Sequence, residues 1–373
     1  MKNNSKIAII IGTRAELIKT FPVMVELQKK KIPYYFIHTG QHNLKDLCKK
    51  LSVNYPDIVL TKEPKKSSKF FSKQLKAIFW NFGLILKIKN ELNKLKKLKY
   101  VLYHGDTMST ASAAIASSKL FNPFKKYKNI HLEAGLRSNN LTEPFPEEIL
   151  RIIADYFSDI LLAVSKRSKN NLKRYENSKK IILIGNTIID STDIIYKSSL
   201  KKKMKILSPK KFGLISIHRH ENIKNKERMK KIVEILASLK IDSFFTMHDN
   251  TKKQLIKFDL YNRLKQNKKI KIIGTLDYPS FIYQLKKCSL IICDGGSIQE
   301  ESLIFSKPCI IFRMATERQE GLESNFQFLS KLEIEKTKKQ INKFLDPGFK
   351  IRSLENPYGK IGVSKSIVKS LEL

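Results

Sequence analysis

The sequence has 373 residues, of which 42% are hydrophobic, and a formal net charge of +38 from 72 Lys+Arg against 34 Asp+Glu. That length exceeds one ordinary core, so two domains are expected. The basic excess is nearly all lysine and is spread along the chain, as at Lys29-Lys30-Lys31, Lys125-Lys126 and Lys201-Lys202-Lys203. With no zinc-finger spacing, RNA-binding aromatic motif or basic-aromatic stripe, it reads as solvated surface, and no nucleic-acid partner is expected. Cys48, Cys288, Cys293 and Cys309 show no C-x-x-C spacing, as for buried reduced thiols in a cytoplasmic protein. Residues 1–6 lead into an apolar run too short for a signal peptide or a membrane span. Phe79 to Ile88, apolar but flanked and interrupted by lysines, reads as a core-facing helix before a membrane-surface one, and no stable membrane insertion is expected.

Ile7 to Ile11 is a continuous apolar run, the mark of a strand buried on both faces of a parallel sheet. It ends at Gly12-Thr13-Arg14, before a helix with Leu17, Ile18, Phe21, Val25 and Leu27 on its apolar side. Arg14 and Lys19 lie near the start of that helix, placed to grip an anionic group beside free backbone N–H groups. The turn lacks G-x-G-x-x-G and G-K-[ST], which argues against nicotinamide and P-loop nucleotides. Tyr34 to His38 reads as the second strand, before Thr39-Gly40-Gln41-His42, and residues 67–97 as a long lysine-studded helical region. Tyr100 to Tyr103 is the next strand and ends in His104-Gly105-Asp106-Thr107, where Asp106 alone reads first as an N-cap.

Ile130 and Leu132 then lead to Glu133-Ala134-Gly135-Leu136-Arg137. A loop with Pro144 and Pro146 opens into a helix that starts with Glu147 and Glu148, with Arg151 one turn on. Charges packed this densely beside a strand end are costly to desolvate unless they do chemistry or pair with one another. Ile160 to Val164, with Ser165 as a helix cap, and Ile181 to Ile184, before Gly185-Asn186-Thr187, complete one doubly wound domain.

Lys197 to Lys211 is the linker candidate, and the pattern then restarts. Phe212 to Ile217 ends in His218-Arg219-His220-Glu221-Asn222, and Ser243 to Met247 ends in His248. Ile270 to Ile273 precedes Gly274, Leu290 to Cys293 ends in Asp294-Gly295-Gly296-Ser297, and Pro308 to Phe312 ends near Thr316-Glu317-Arg318. Residues 357–373 read as a helix with Ile361, Ile367, Val368 and Leu371 on its apolar side. The expected class is α/β, two doubly wound, Rossmann-like domains facing a cleft, at residues 1–196 and 197–356.

The Asp294 to Ser297 turn reads either as an anion site built from free N–H groups and a hydroxyl, or as a glycine turn with Ser297 as N-cap. Arg318 favours the first reading, and Glu301 suits ribose hydroxyls. His218 alone is undecided between core and function, but His-Arg-His-Glu-Asn at a strand end leans towards function. A diphosphate flanked by carboxylates and a histidine suggests a nucleotide sugar as substrate, with Asp/Glu pairs as general acid and base. No metal is expected, because no ligand spacing is present and Arg and Lys can neutralise phosphates.

These motifs, from Gly12-Thr13-Arg14-Ala15-Glu16 through Glu133-Ala134-Gly135-Leu136-Arg137 and Pro146-Glu147-Glu148 to Gln299-Glu300-Glu301 and Thr316-Glu317-Arg318, stand in the order of the non-hydrolysing UDP-N-acetylglucosamine 2-epimerases. Any one is weak; nine in order over residues 7–320 are specific. The resemblance implies a fold similar to the GT-B glycosyltransferases, with the final helix, 357–373, completing the first domain. It also implies interconversion of UDP-GlcNAc and UDP-ManNAc by a cytoplasmic homodimer without an external cofactor. By motif position, Asp106, Glu133 and Glu147 match the catalytic carboxylates and His218 the active-site histidine. Arg14, Lys19 and Arg151 match positions around the sugar and diphosphate. Gly295, Gly296, Ser297, Glu301 and Arg318 match UDP-binding positions, Phe281 the position beside uracil, and Gln41 and His42 part of a regulatory site. The chain departs from the family pattern at Ala15 and Gln319, where proline is usual, at His220, where arginine is usual, and in Asp-Gly-Gly-Ser for Asp-Ser-Gly-Gly. A modified UDP-sugar such as a diacetamido-uronate, hydrolysis to ManNAc and UDP, and a non-enzymatic anion-binding module are the competing readings.

Overall fold

The computed structural model describes residues 5–61, 70–140, 143–352 and 354–371, with side chains from Asn81 onward in the helix Phe70–Asn93. Lys65 and Lys66, and the start of the expected helical region at 67–69, lie outside the described residues. The chain divides into two compact units. The first holds Met1–Arg137, Phe145–Ser191 and Pro357–Leu373, and the second Ser138–Pro144 and Thr192–Asn356.

The first unit is built on seven strands: β1 (Ile7–Ile11), β2 (Tyr34–His38), β3 (Ile58–Val59), β4 (Tyr100–His104), β5 (Lys128–Ala134), β6 (Ile160–Ala163) and β7 (Lys180–Leu183). They form one parallel sheet in the order β3-β2-β1-β4-β5-β6-β7. All five residues of β1 are buried, as its unbroken apolar run requires. Strand order reverses between β1 and β4, and at such a switch point the carboxyl ends of the strands leave a crevice for ligand. Leu84, Ile85 and Ile88 of the helix Phe70–Asn93 pack into the core around β1 and β4. The expected core-facing reading of 79–88 holds for these residues; the side chains of Phe79 and Trp80 lie outside the described ones.

The second unit is built on β8 (Gly213–Ser216), β9 (Ser243–Thr246), β10 (Ile270–Ile273), β11 (Leu290–Cys293), β12 (Cys309–Ile311) and β13 (Gln327–Leu329). They too form a parallel sheet, in the order β10-β9-β8-β11-β12-β13, with the reversal between β8 and β11. Two doubly wound units are therefore present, as expected. The sequence reading passes over β3 and β13, which have two and three residues and no long apolar run.

The last helix is shorter than the 357–373 expected, spanning Val363–Ser370. Gly359 (φ 97°) and Gly362 (φ 108°) hold left-handed turns just before it and keep the helix from starting earlier. It packs on the helix Arg14–Lys29 in the first unit. All four cysteines are buried and free. Among the described residues no helix is long and apolar enough to cross a membrane.

Candidate active site

In the first unit the switch point gathers groups from four strand ends. After β1, Thr13 caps the helix Arg14–Lys29 in a capping box. The Thr13 hydroxyl accepts from Glu16 N at 3.2 Å, while the Glu16 carboxylate accepts from Gly12 N at 2.6 Å and Thr13 N at 2.7 Å. The same carboxylate accepts from the hydroxyls of Thr107 and Thr110, the latter at 2.8 Å, and so ties the loop after β1 to the loop after β4. Burial pushes the Glu16 carboxyl up in spite of these four bonds. Sequence reasoning gives Glu16 no role, although Thr-x-x-Glu is the spacing of a capping box.

Lys19, on the buried side of that helix, is ion-paired with Glu133, and the two residues are only 4% and 6% exposed. Glu133 has φ 69°, at the place where the pairing of β5 with β6 shifts register between Leu132 and Ala134. A bulge of this kind re-aims a side chain at the end of a strand. Asn186 donates to the oxygen that Lys19 holds, at 3.5 Å, and the other oxygen lies 3.9 Å from His104 Nδ1. His104 is buried, which pushes its pKa from 6.5 down to about 3 against the pull of Glu133, so the ring is neutral at neutral pH. A small recess lined by His104, Glu133, Asn186 and Thr187 opens here.

Arg151, on the helix Glu147–Phe157, is buried and ion-paired with Asp106 and, at 2.7 Å, with Glu148. Burial pulls its pKa down, but Asp106, Glu148 and Glu133 outweigh that and hold it above the ordinary arginine value. Asp106 is not the cap of the following helix. Thr107 is, its hydroxyl accepting from Thr110 N at 3.2 Å, while the Asp106 carboxylate is ion-paired with Arg151. Glu147 stands half-buried in the first turn, beside the buried Glu148. Arg14 is exposed at the first position of its helix. Gln41 Oε1 accepts from Ser109 Oγ at 3.0 Å, and His42 is exposed.

Beneath these groups lies a buried support that sequence reasoning misses. His131 contacts Asp155 Oδ1 through Nδ1 at 2.7 Å and the Gly105 carbonyl through Nε2 at 2.8 Å. Asp155 also accepts from Arg137 at 2.6 Å. Burial pushes the Asp155 carboxyl up, but His131 and Arg137 overcome it and hold it below the usual range. One ring thus links the strand of Glu133, the turn of Asp106 and the helix of Glu147 and Arg151.

In the second unit the Asp294 carboxylate is fully buried and turned inward. It accepts from the backbone N–H of His218 at 3.0 Å and of Arg219 at 2.9 Å, and from Asn222 Nδ2 at 3.1 Å. Asn222 also donates to the Phe312 carbonyl at 2.8 Å. These bonds set the His218 loop against the turn that opens the helix Gly296–Ile304. The His218 ring is partly exposed, 4.8 Å from the ring of His248.

The cap of the helix Gly296–Ile304 is Gly295, not Ser297, and a glycine has no side chain to bond the first turn. Its N–H groups carry the positive end of the helix dipole, which suits an anion. The Arg318 guanidinium lies over Gly296, so close that a Cβ there would come within 3.0 Å of its Cζ. Arg318 is buried and ion-paired with Glu317 and, at 3.2 Å, with Glu300, while Arg313 backs Glu317 at 3.0 Å. Glu301 is buried and accepts from Tyr278 Oη at 2.8 Å. Phe281 is partly buried against the core beside β11. Among the described residues no group of three or more His, Cys, Asp or Glu is arranged to hold a metal ion.

The first unit thus brings Lys19, Asp106, Glu133 and Arg151 into one cluster, and the second sets His218, Gly295, Gly296, Ser297 and Arg318 around one helix start. The UDP-N-acetylglucosamine 2-epimerase family model matches residues 25–372. A UDP-N-acetylglucosamine 2-epimerase of Methanocaldococcus jannaschii is 35% identical over 98% of each chain. The crystal structure of the M. jannaschii enzyme in complex with UDP-GlcNAc and UDP superposes with a TM-score of 0.81, covering 98% of this chain and 99% of that one at 33% identity. The enzyme from Neisseria meningitidis bound to UDP-GlcNAc gives a TM-score of 0.83 over the same shares at 29% identity. The order of the motifs, the two parallel sheets and these similarities agree: the chain belongs to the UDP-N-acetylglucosamine 2-epimerase family.

Proposed function

We propose that this protein interconverts UDP-GlcNAc and UDP-ManNAc without hydrolysing them and without an external cofactor. The observation that carries the reading is the cluster of Glu133 with Lys19 and Asp106 with Arg151 at the switch point of the first sheet. The C2 proton of the sugar has no neighbouring carbonyl to acidify it, so simple deprotonation is unfavourable. Elimination avoids the difficulty: a base takes the C2 proton, the C1–O bond breaks with its electron pair going to UDP, and a 2-acetamidoglucal remains. Re-addition of UDP at C1 with proton delivery to the other face of C2 gives the epimer. Water must be kept from the intermediate meanwhile, or the sugar is lost.

In this reading Asp106, Glu133 and Glu147 are the acid–base groups, with Arg151 beside Asp106 and Lys19 beside Glu133. Arg14, Lys19 and Arg151 balance the sugar diphosphate, and His218 assists UDP departure. The free N–H groups at Gly295 and Gly296, with Ser297 and Arg318, hold the diphosphate; Glu301 takes the ribose hydroxyls and Phe281 lies beside uracil. Gln41 and His42 belong to a regulatory site. A cytoplasmic homodimer completes the proposal. Incubation with UDP-GlcNAc, followed by separation of the sugar products, tests it. UDP-ManNAc supports the reading; free ManNAc with stoichiometric UDP makes the protein a hydrolase instead.

A further inference from the structure

We infer that the strand-start end of the first sheet docks on an anionic lipid bilayer. Neighbouring strands begin there side by side, and lysines begin them. Lys99 N donates to the Lys6 carbonyl at 2.8 Å, and Lys128 N to the Lys99 carbonyl at 2.8 Å, so Lys6, Lys99 and Lys128 stand at the starts of adjacent strands, Lys128 one residue out of step with Lys99. The series continues through Asp159, whose N donates to the Asn129 carbonyl at 3.1 Å, to Lys180, whose N donates to the Asp159 carbonyl at 3.2 Å. All four of these lysines are exposed. The acid in the series is already engaged, because Lys125 bonds Asp159 at 2.7 Å. Register sets Lys6 beside Lys99, one residue before the partners Ile7 and Tyr100, and like charges side by side on strands about 4.8 Å apart repel one another. A surface of opposite charge relieves that repulsion.

A second observation says which kind of surface. The connection between the helix Met108–Ala116 and β5 lies at this same end and carries Leu120, 69% exposed, and Phe124, 91% exposed. Exposed Lys119 and Lys126 flank them. Single exposed apolar residues need no explanation. Two on one short connection, set among lysines whose stems can lie along apolar surface, match a wedge that enters the headgroup region while the ammonium groups meet lipid phosphates. A nucleic acid satisfies the lysines but gives Leu120 nothing to bury against. The parallel strands run away from this end towards Asp106 and Glu133, so docking leaves the catalytic end of the first unit clear.

Flotation of the full-length protein with phosphatidylcholine vesicles, with and without phosphatidylglycerol, at about 0.15 M salt tests the proposal. The protein should float with the anionic vesicles and not with the zwitterionic ones. The pair Lys99→Glu/Lys128→Glu and the single Phe124→Ser should each lower the bound fraction, the lysine pair by roughly tenfold or more, with unchanged turnover and melting temperature. Lys99→Gln/Lys128→Gln replaces the charge-reversed pair if that fails to fold. No flotation with anionic vesicles overturns the proposal. So does flotation indifferent to both substitutions, and so does DNA binding that displaces the vesicles and depends on the lysines but not on Phe124.

Discussion

Glu133 and Lys19 are buried together, and at that burial the loss of either partner leaves an uncompensated charge, at a cost of about 3–5 kcal/mol. Glu133→Gln keeps the shape but still leaves Lys19 without its carboxylate, so part of that cost remains and a loss of stability is expected beside the loss of rate. Asp106→Asn and Glu133→Gln keep the volume and one acceptor oxygen while removing the proton-transfer group, and each should lower turnover by roughly 10²–10⁴. Steady-state rates beside a thermal melt check this, and near-normal turnover in either variant removes that residue from the chemistry. His104 makes a different prediction. Its folded pKa of about 3 lies below its ordinary 6.5, so between those values the unfolded chain binds a proton that the folded protein excludes. Stability should then fall as pH falls below about 6.5, by up to about 1.4 kcal/mol per pH unit from this one group. Urea titrations across that window should show a shallower slope for His104→Asn.

At the scale of elements, the last helix packs through its apolar face and is capped by one distant carboxylate. Asp190 accepts from Gly362 N at 2.7 Å and Ser364 N at 2.6 Å, satisfying N–H groups at the start of the helix Val363–Ser370 from another part of the unit. Asp190→Ala should cost about 1–2 kcal/mol and speed amide exchange across that helix, with the exchange at β1 little changed. The sequence shows the apolar face of this helix but not its cap, because Asp190 is distant in sequence and unremarkable in its own segment. The same limit governs the site. Asp106, Glu133 and Arg318 are legible because each follows an apolar strand whose carboxyl end must face a crevice in a doubly wound sheet. Glu16, His131 and Asp294 are not legible as supports, because their partners, Thr107, Gly105 and the His218 loop, are joined to them only by strand order. Gly135 lies between these cases: its glycine is visible, but its reason, a φ of 85° and a Ser168 carbonyl 2.2 Å from any added Cβ, is tertiary.

At the scale of the whole molecule, two sheets of the same winding do different work. The first places acids beside cations at its switch point, which in the proposed function move the proton at C2. The second places a glycine-capped helix start beneath a guanidinium braced by Glu300 and Glu317, which in the proposed function holds the diphosphate. Basic composition alone reads as solvated surface, whereas the lysines at the strand-start end of the first sheet give part of that charge a specific place. The central claim, that C2 of a UDP-sugar exchanges its proton during elimination and re-addition, is tested most directly in deuterium oxide. The protein is incubated with UDP-GlcNAc and followed by NMR. The account predicts UDP-ManNAc and recovered UDP-GlcNAc both carrying deuterium at C2. Epimer formed with the original C2 hydrogen retained would contradict it.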